Sequence, residues 1–405
     1  MKFFELWKQS DSKFRKNLVF FFLSYFLVLF NYPLIRASGT TLFFEAFGAK
    51  SSPIAMFVSV FFLALSILIC NKIQKASSVQ KVFMVATVFS ALVMGGGSLA
   101  FLSGTKSGAW LPFIWKEIYI VLQVHLLLAY ANNMFTKEEF KLLLGPVGAA
   151  GSIGGILGGI LTSFLSEKAG TNFVMGTGIV FVLMPVIFFL LTEPVKGQTE
   201  VAKKSPLSSL DSGAIRKYVF YVALVVFLTQ FVINIADFMF HIKFEATITS
   251  SQERTAYLGQ LYSLTNFLTL IFQVVLLPLI LPRVSEKNFH IFIPVSYLLS
   301  IALMLSGSGL GLLPIAGLFT YLKAADYSLF SSGKELLYQP LKPEQKYGAK
   351  YLTDMLVYRA GKAVVALVLI YLQSSTILNM LMFIFLLAWI FLIIRLFKLQ
   401  RQLFP

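Results

Sequence analysis

Four polar residues with hydrogen-bonding or titratable side chains follow one another at helical spacing in an otherwise apolar stretch. They are Gln230, Asn234, Asp237 and His241, at intervals of four, three and four residues. Side chains at these intervals share one face of an α-helix. Such a stripe lines a cavity that binds a polar ligand, or it forms a hydrogen-bonded seam between two helices. We favour the cavity, because a stripe about three turns long is too polar to face lipid.

A permanent cation lies in the first apolar stretch of the chain. Arg36 follows Tyr32 by four residues, and Pro33 between them favours a kink that frees backbone carbonyl groups. The guanidinium presents a planar set of donors that matches carboxylate and phosphate groups. Arg36 is therefore a candidate ligand for an anionic substrate. The alternative, a structural ion pair with Asp237 or Glu117, stays open.

Two further pairs of charged residues lie in apolar stretches. Lys116 and Glu117 are adjacent, so their side chains point about 100° apart on a helix and cannot both face lipid. Glu117 is a candidate proton or cation site, unless both side chains extend to the membrane surface instead. Lys323 and Asp326 lie three residues apart, and they either bind substrate or neutralise each other.

The composition indicates that these residues lie in membrane-spanning helices. Of the 405 residues, 57% are hydrophobic and 13% are charged, and the mean hydropathy is +0.79. Soluble proteins carry about 25% charged residues, so lipid must solvate much of this chain. The formal net charge of +16 comes from basic residues in short segments between apolar runs, which is typical of a membrane protein rather than a nucleic-acid-binding protein. The sequence predicts an all-α integral membrane protein with the lipid bilayer as its partner.

Runs of about 20 apolar residues predict twelve transmembrane helices. A polar stretch separates the first six from the last six. In chain order the predicted spans are 17–44, 52–71, 80–103, 109–135, 140–165, 171–192, 218–244, 255–281, 289–307, 310–332, 351–373 and 376–395.

The basic residues are concentrated on one side of the membrane in this arrangement. The opposite side carries Lys50, Lys106, Lys168, Lys243 and Arg254. Because cytoplasmic loops are enriched in lysine and arginine, both termini and the central loop are expected to be cytoplasmic. We therefore predict a multi-pass protein of the inner (cytoplasmic) cell membrane.

The two halves of the chain resemble each other in sequence. With a shift of 200 residues, Phe44–Ala46 aligns with Phe244–Ala246. Together with six spans in each half, this predicts two parallel six-helix repeats of the major facilitator type, at 1–192 and 217–405, joined by a cytoplasmic linker at 193–216. Folds of this type bind substrate near the bilayer midplane between the halves and work by rocking one half against the other.

The fifth predicted span is rich in glycine. Gly151, Gly155 and Gly159 form consecutive steps of four residues, a pattern that lets a neighbouring helix approach closely. Helix packing is favoured over a phosphate-binding loop, because no GK[ST] sequence follows the glycines.

No sequence pattern supports an enzyme. The single Cys70 excludes a cysteine cluster, and neither a Walker motif nor H-E-x-x-H occurs. His125 and His241 have no nucleophile at a productive spacing. We therefore expect no catalytic residue, no metal and no cofactor.

Four segments, in order along the chain, resemble one known family. They are Glu117 with AYANNMFTKEEFK, the glycine run, KYVFYVALVV with INIADF, and DYSLFSSGKELLYQPL at 326–341. In these segments the sequence is similar to the ATP/ADP translocases, the nucleotide transporters of plastids and intracellular bacteria. The last segment is specific, because polar identities such as Ser328, Lys334 and Glu335 do not follow from hydrophobicity.

The resemblance implies a major facilitator-like fold and the exchange or uptake of nucleotides or related phosphorylated metabolites. The residues that it carries over are Arg36, Glu117, Asn234, Lys323 and Lys334, with Asp237 where the family has an acidic residue. Cationic groups would meet phosphates, and the carboxylates would balance or gate them.

This chain departs from the family in two places. Gly39 and Thr40 stand where the family has a Lys-Asp pair, and Asp326 stands where it has a lysine. Fewer cations remain to neutralise a polyphosphate, which favours a less charged substrate.

We therefore expect a monomeric secondary active transporter of a small anionic molecule, possibly a nucleotide, working by exchange or proton-coupled uptake. Two alternatives stay open. One is a transporter or flippase of a lipid-like or less charged substrate, and the other is a non-transporting membrane scaffold or sensor.

Overall fold

The structure is a computed structural model, and it describes residues 7–8, 10–195, 210, 212–306 and 311–404. Six long helices precede the central polar stretch. They are α1 Ser12–Phe47, α2 Ser52–Gln74, α3 Val79–Leu102, α4 Trp110–Met134, α5 Lys137–Ala169 and α6 Thr171–Leu190.

Six further helices follow, and three of them contain a π-helical segment. The continuous ones are α7 Gly213–Thr247, α9 Glu286–Ser306 and α12 Ser375–Leu403. The other three consist of an α-helical, a π-helical and a second α-helical segment in that order. They are α8 (Ser251–Ile271, Phe272–Leu276, Leu277–Ile280), α10 (Leu312–Ala325, Asp326–Phe330, Ser331–Leu337) and α11 (Pro343–Lys350, Tyr351–Val357, Tyr358–Tyr371).

The helices correspond to the predicted spans. Within the described residues, ten helices are long and apolar enough to cross a membrane. The two remaining predicted spans are α10 and α11, in which the π-helical segments divide the α-helix into shorter pieces. The prediction of an all-α membrane protein with about twelve spans is confirmed. The predicted boundary between the ninth and tenth spans falls on 307–310, which lie outside the described residues.

Several helices begin earlier than hydropathy predicts, because polar caps extend them beyond the apolar run. Asp11 Oδ1 accepts a hydrogen bond from the Phe14 amide at 2.6 Å and starts α1. Thr136 and Glu139 cap α5 reciprocally: the Glu139 amide donates to Thr136 Oγ1 at 3.3 Å, and the Thr136 amide donates to Glu139 Oε2 at 2.8 Å. Each such bond satisfies an amide that the first turn of a helix leaves without a partner.

One compact unit comprises Met1–Gly48, Phe61–Thr199 and Ile248–Leu270. Its core is a chain of rings from four helices. Tyr130 of α4 lies 6.2 Å from Phe21 of α1 and 5.1 Å from Phe189 of α6, and Phe189 lies 4.8 Å from Phe83 of α3. All four side chains are fully buried, so aromatic packing is a main contact between these four helices.

The other compact unit comprises Ala49–Val60, Glu200–Thr247 and Ile271–Pro405. Helix α7 packs against α10, α11 and α12. Trp389 of α12 is fully buried and lies 5.7 Å from Tyr297 of α9 and 5.4 Å from Phe330 of α10. These rings join α9, α10 and α12 to one another.

The two predicted six-helix bundles differ from the compact units in two segments. Residues 248–270 group with the first unit and residues 49–60 with the second. The domain boundaries at 192 and 217 stay a prediction. Most of the predicted linker, residues 196–209 and 211, lies outside the described residues.

The glycines of α5 meet two neighbouring helices. A Cβ at Gly151 would lie 2.9 Å from Tyr25 Cε1 of α1, and one at Gly155 would lie 2.5 Å from Asn266 Cγ of α8. At Gly159 it would meet the backbone of α8. Close approach of α5 to α1 and α8 therefore depends on the missing side chains.

Two glycines that the sequence analysis did not select make the tightest approach to α1. A Cβ at Gly154 would lie 2.6 Å from the Phe26 carbonyl oxygen, and one at Gly158 would overlap the Phe30 carbonyl oxygen. Both contacts are with backbone, which cannot move aside as a side chain can.

We predict that Gly158→Ala lowers the thermal unfolding temperature of the purified protein, since overpacking costs about 1–3 kcal/mol. Gly145→Ala is the matched control in the same helix, because a Cβ there has nothing within 4 Å. The control should be neutral or stabilising, as alanine favours a helix by about 1 kcal/mol over glycine. Equal unfolding temperatures for the two variants would contradict the packing described.

Candidate functional site

The Arg36 guanidinium is held between aromatic rings in the first unit. Its central carbon lies 4.3 Å from the ring centroid of Tyr262 in α8 and 5.6 Å from that of Tyr32 in α1. A guanidinium over a ring face is attracted by the negative π-surface, and the attraction grows where water is excluded. Stacking engages the face of the guanidinium, whereas carboxylate and phosphate groups are bound at its edge.

Sequence reasoning missed Tyr262, although α8 carries a recognisable signal. Thr255, Tyr262, Thr265 and Thr269 are buried, and their spacing of seven, three and four residues puts them on one helical face. This is the same kind of stripe as in α7, but it consists of hydroxyl groups. Hydroxyl groups are less unusual in a membrane span than titratable groups, so the pattern is harder to recognise in the sequence.

Lys116 and Glu117 of α4 lie together in the first unit. The Lys116 Nζ atom is 3.7 Å from Glu117 Oε1, and it donates to the Phe113 carbonyl oxygen at 3.3 Å. Nζ also lies 3.4 Å from the centroid of the Phe113 ring. The lysine side chain is 6% exposed and the glutamate side chain 30% exposed, so the lysine is turned into the protein. The Lys116 side chain bends back over the preceding helical turn. Its ammonium group therefore comes close to the Glu117 carboxylate, although the two side chains leave the helix about 100° apart.

The polar stripe of α7 meets a cation from α10 in the second unit. Asp237 Oδ1 lies 3.3 Å from Lys323 Nζ, and Asp237 Oδ2 lies 3.4 Å from His241 Nδ1. One turn earlier, Asn234 Nδ2 donates to the Gln230 backbone carbonyl oxygen at 2.7 Å. The stripe thus holds two groups of contacts, Gln230 with Asn234 and Asp237 with His241 and Lys323, and Asp237 is its anionic centre.

Gln230 is the most deeply buried residue of this stripe. It is 2% exposed and packs against Gly361 of α11. Among the residues that the structure describes, Gln230 Nε2 has no hydrogen-bond acceptor. A buried amide without an acceptor is costly, and a ligand oxygen would relieve that cost.

Asp326 begins the π-helical segment of α10 and is buried. A π-helical turn inserts an extra residue and changes the direction in which side chains project, and such turns are frequent at functional sites. Lys323, three residues earlier, has its ammonium group at Asp237. The charge on α10 is therefore met by α7, a partner that sequence spacing does not reveal.

Lys334 belongs to a different group of contacts. Its Nζ atom lies 2.7 Å from Asp354 Oδ1 of α11, and Lys350 Nζ lies 2.6 Å from Glu335 Oε2. Tyr338 also donates to Asp354 Oδ1, at 3.3 Å. Eleven residues of helix separate Lys323 from Lys334, a distance of ~16 Å. The structure thus brings Asp237, His241 and Lys323 together, and it separates Lys334 from them.

Solved transporter structures share this fold. The chain is similar to the nucleoside transporter NupG (16% identity, TM-score 0.62, covering 94% of this chain and 98% of that one). It is also similar to a bacterial homologue of the iron transporter ferroportin in an inward-facing state (16% identity, TM-score 0.68, covering 96% of this chain and 99% of that one). A third similar structure is a D-xylose-proton symporter (13% identity, TM-score 0.68, covering 96% of this chain and 98% of that one). These similarities confirm the predicted major facilitator-like fold. No curated protein matches the chain.

A sequence family matches the second half of the chain. The match covers residues 182–403, more than half of the chain, and it includes the α7 stripe, Lys323, Asp326 and Lys334. Arg36, Lys116 and Glu117 lie outside the matched range. The resemblance seen in the sequence is confirmed, and the chain belongs to the TLC ATP/ADP transporter family.

Proposed function

We propose that the chain is a secondary active transporter that moves a nucleotide or a related phosphorylated metabolite across the membrane, by exchange or by proton-coupled uptake. The observation that carries the substrate class is the length of the contacts that hold the intramembrane lysines. Lys116 and Lys323 lie 3.7 and 3.3 Å from their carboxylate partners. Strong charge-assisted hydrogen bonds measure about 2.7–2.9 Å, so these two lysine–carboxylate contacts are longer than a strong ion pair.

The contacts of Lys334 and Lys350 serve as an internal comparison. At 2.7 and 2.6 Å they have the length of strong ion pairs. They connect the end of α10 to the first turns of α11. We infer that Lys334 is structural, whereas Lys116 and Lys323 exchange their carboxylate partners for substrate phosphate.

Arg36 contributes a different kind of anion ligand. Its contact with the Tyr262 ring restricts the guanidinium and so reduces the entropy that substrate binding would cost. A pre-oriented guanidinium binds two phosphate oxygens through its edge. Tyr262 is then a positioning residue that acts through Arg36.

The balance of charge supports a substrate with few negative charges. Three cations, Arg36, Lys116 and Lys323, are offset by three carboxylates, Glu117, Asp237 and Asp326. A triphosphate would bring charge that these groups do not neutralise, whereas a monophosphate needs only one or two cations released from their partners. We therefore infer a preference for a monophosphate ester.

The distribution of basic residues supports the inner (cytoplasmic) membrane, with both termini on the cytoplasmic side. Transport is by a monomer and involves no covalent chemistry on the substrate.

The substrate class is tested with purified protein in liposomes loaded with unlabelled nucleotides. We expect labelled nucleoside monophosphates to accumulate or exchange several-fold faster than triphosphates, because fewer charges need compensation. Empty liposomes are the control. Failure to accumulate or exchange any phosphorylated compound would overturn the proposal.

The role of Arg36 is tested by Arg36→Lys, which keeps the charge and removes the fork of donors. Hydrogen bonds to charged groups contribute about 1.5–3 kcal/mol, so the substrate affinity should fall at least about tenfold. Tyr262→Leu should lower it less, and Tyr262→Phe, which keeps the ring, should leave it nearly unchanged. An Arg36→Lys protein with normal affinity would show that the guanidinium does not bind substrate.

The distinction between loose and tight lysines is tested by Lys323→Gln and Lys334→Gln, which make the same change of charge in one helix. Lys323→Gln should lower substrate affinity at least about tenfold, by the loss of a charged hydrogen bond. Lys334→Gln should leave affinity within twofold and lower the thermal unfolding temperature. Equal losses of affinity in both variants, measured by substrate-dependent thermal shift, would contradict the assignment.

A further inference from the structure

A groove runs between α5 and α8 in the first unit. It encloses about 580 Å³. Most of its lining is apolar, and Ile160, Phe164, Leu264 and Phe267 expose about half of their surface. In a helix of a membrane protein such side chains face lipid, so the groove opens toward the acyl chains of the bilayer.

One end of the groove is polar and lies at the ends of both helices. A second cavity of about 480 Å³ shares Glu167 and Gln260 with the first and adds Glu253 to the lining. Glu167 is two residues from the end of α5, and Glu253 is in the first turn of α8. The polar end therefore lies at the depth of the lipid head groups, and the apolar length extends from it into the bilayer.

Two hydrogen bonds connect the polar side chains that line the groove, and carboxylate oxygens at its polar end remain available as acceptors. Gln260 Nε2 donates to Ser163 Oγ at 3.1 Å, and Ser163 Oγ donates to Glu167 Oε1 at 3.2 Å. Among the residues that the structure describes, neither Glu167 Oε2 nor the Glu253 carboxylate has a hydrogen-bond or ion-pair partner. The polar end is thus acidic and offers oxygen acceptors.

The length of the groove matches one leaflet. Ile156 and Glu167 mark its two ends along α5, and eleven residues of helix span ~16 Å. The hydrocarbon core of a bilayer is about 30 Å thick, so one leaflet contributes about half of that. An acyl chain with its head group at Glu167 would fill the groove to Ile156.

We propose that this groove is a binding site for one phospholipid with a primary-ammonium head group. The ammonium group donates hydrogen bonds to Glu167 and Glu253, and an acyl chain lies against Phe164, Leu264 and Phe267. A quaternary ammonium has no N–H group to donate, and an anionic head group is repelled by the two carboxylates. The lipid bridges α5 and α8, which also contact each other through Gly155 and Asn266, and so stabilises the packing of the first unit.

The site is tested by native mass spectrometry of the purified full chain with phosphatidylethanolamine, phosphatidylcholine and phosphatidylglycerol of identical acyl composition. We expect one phosphatidylethanolamine to be retained several-fold more than either other lipid. The same lipid should raise the thermal unfolding temperature most, because a ligand of the folded state stabilises it. Equal retention of the three lipids would overturn the proposal.

Substitutions distinguish binding of the lipid at this groove from its binding elsewhere on the protein. Glu167→Gln with Glu253→Gln should abolish the preference for phosphatidylethanolamine, while Glu138→Gln with Glu344→Gln makes the same change of charge elsewhere and should preserve it. Ile160→Trp, which fills the apolar length, should lower retention of phosphatidylethanolamine. A preference that persists in the first double variant, or is lost equally in the second, would sink the assignment. If the first double variant does not fold, Glu167→Gln alone gives the same comparison against Glu138→Gln.

Discussion

Lipid solvates no charge, and each ionised group inside the bilayer must therefore be met by a partner within the protein. In the first unit Lys116 meets Glu117 and the Phe113 ring, and Arg36 meets the face of Tyr262. In the second unit Lys323 meets Asp237. The Arg36 contact joins α1 to α8 and the Lys323 contact joins α7 to α10. Separating either pair would leave a charge in a low-dielectric medium, so these contacts add to apolar packing in holding the helices together.

A transporter that binds an anion through intramembrane cations must also free those cations from their carboxylate partners during each cycle. The lysine–carboxylate distances fall into a longer and a shorter class. Lys323 and Asp237 are close enough to compensate each other and too far apart for the strongest hydrogen bond, whereas Lys334 and Asp354 are in close contact. The second unit carries all three π-helical segments found in the described residues. Gln273, in one of them, donates to the Tyr327 carbonyl oxygen, in another, at 3.4 Å. π-Helical turns of this kind are frequent at functional sites and are points at which helices bend.

Hydropathy and charge predict the helices of this chain well, because a membrane span needs about 20 apolar residues whatever its neighbours are. Spacing along one helix also groups Gln230, Asn234, Asp237 and His241 on a common face. What spacing cannot supply is the partner on another helix. Asp237 is the partner of Lys323, Tyr262 supports Arg36, and Asp354 binds Lys334, and each of these pairs joins residues from different helices. Gly154 and Gly158 were missed for the same reason, since their role depends on the path of α1.

The positions at which this chain differs from its family change the balance of charge among these intramembrane residues. Asp326 stands where the resemblance implies a lysine, and it adds a buried carboxylate one turn from Lys323. Gly39 and Thr40 remove a further cation and a further acid from α1. Lys116 and Lys323 each have a carboxylate beside them, so a polyphosphate would compete with these carboxylates for positive charge. Family membership and fold identify a membrane transporter, whereas the proposed preference for a monophosphate is an inference from the local count of charges.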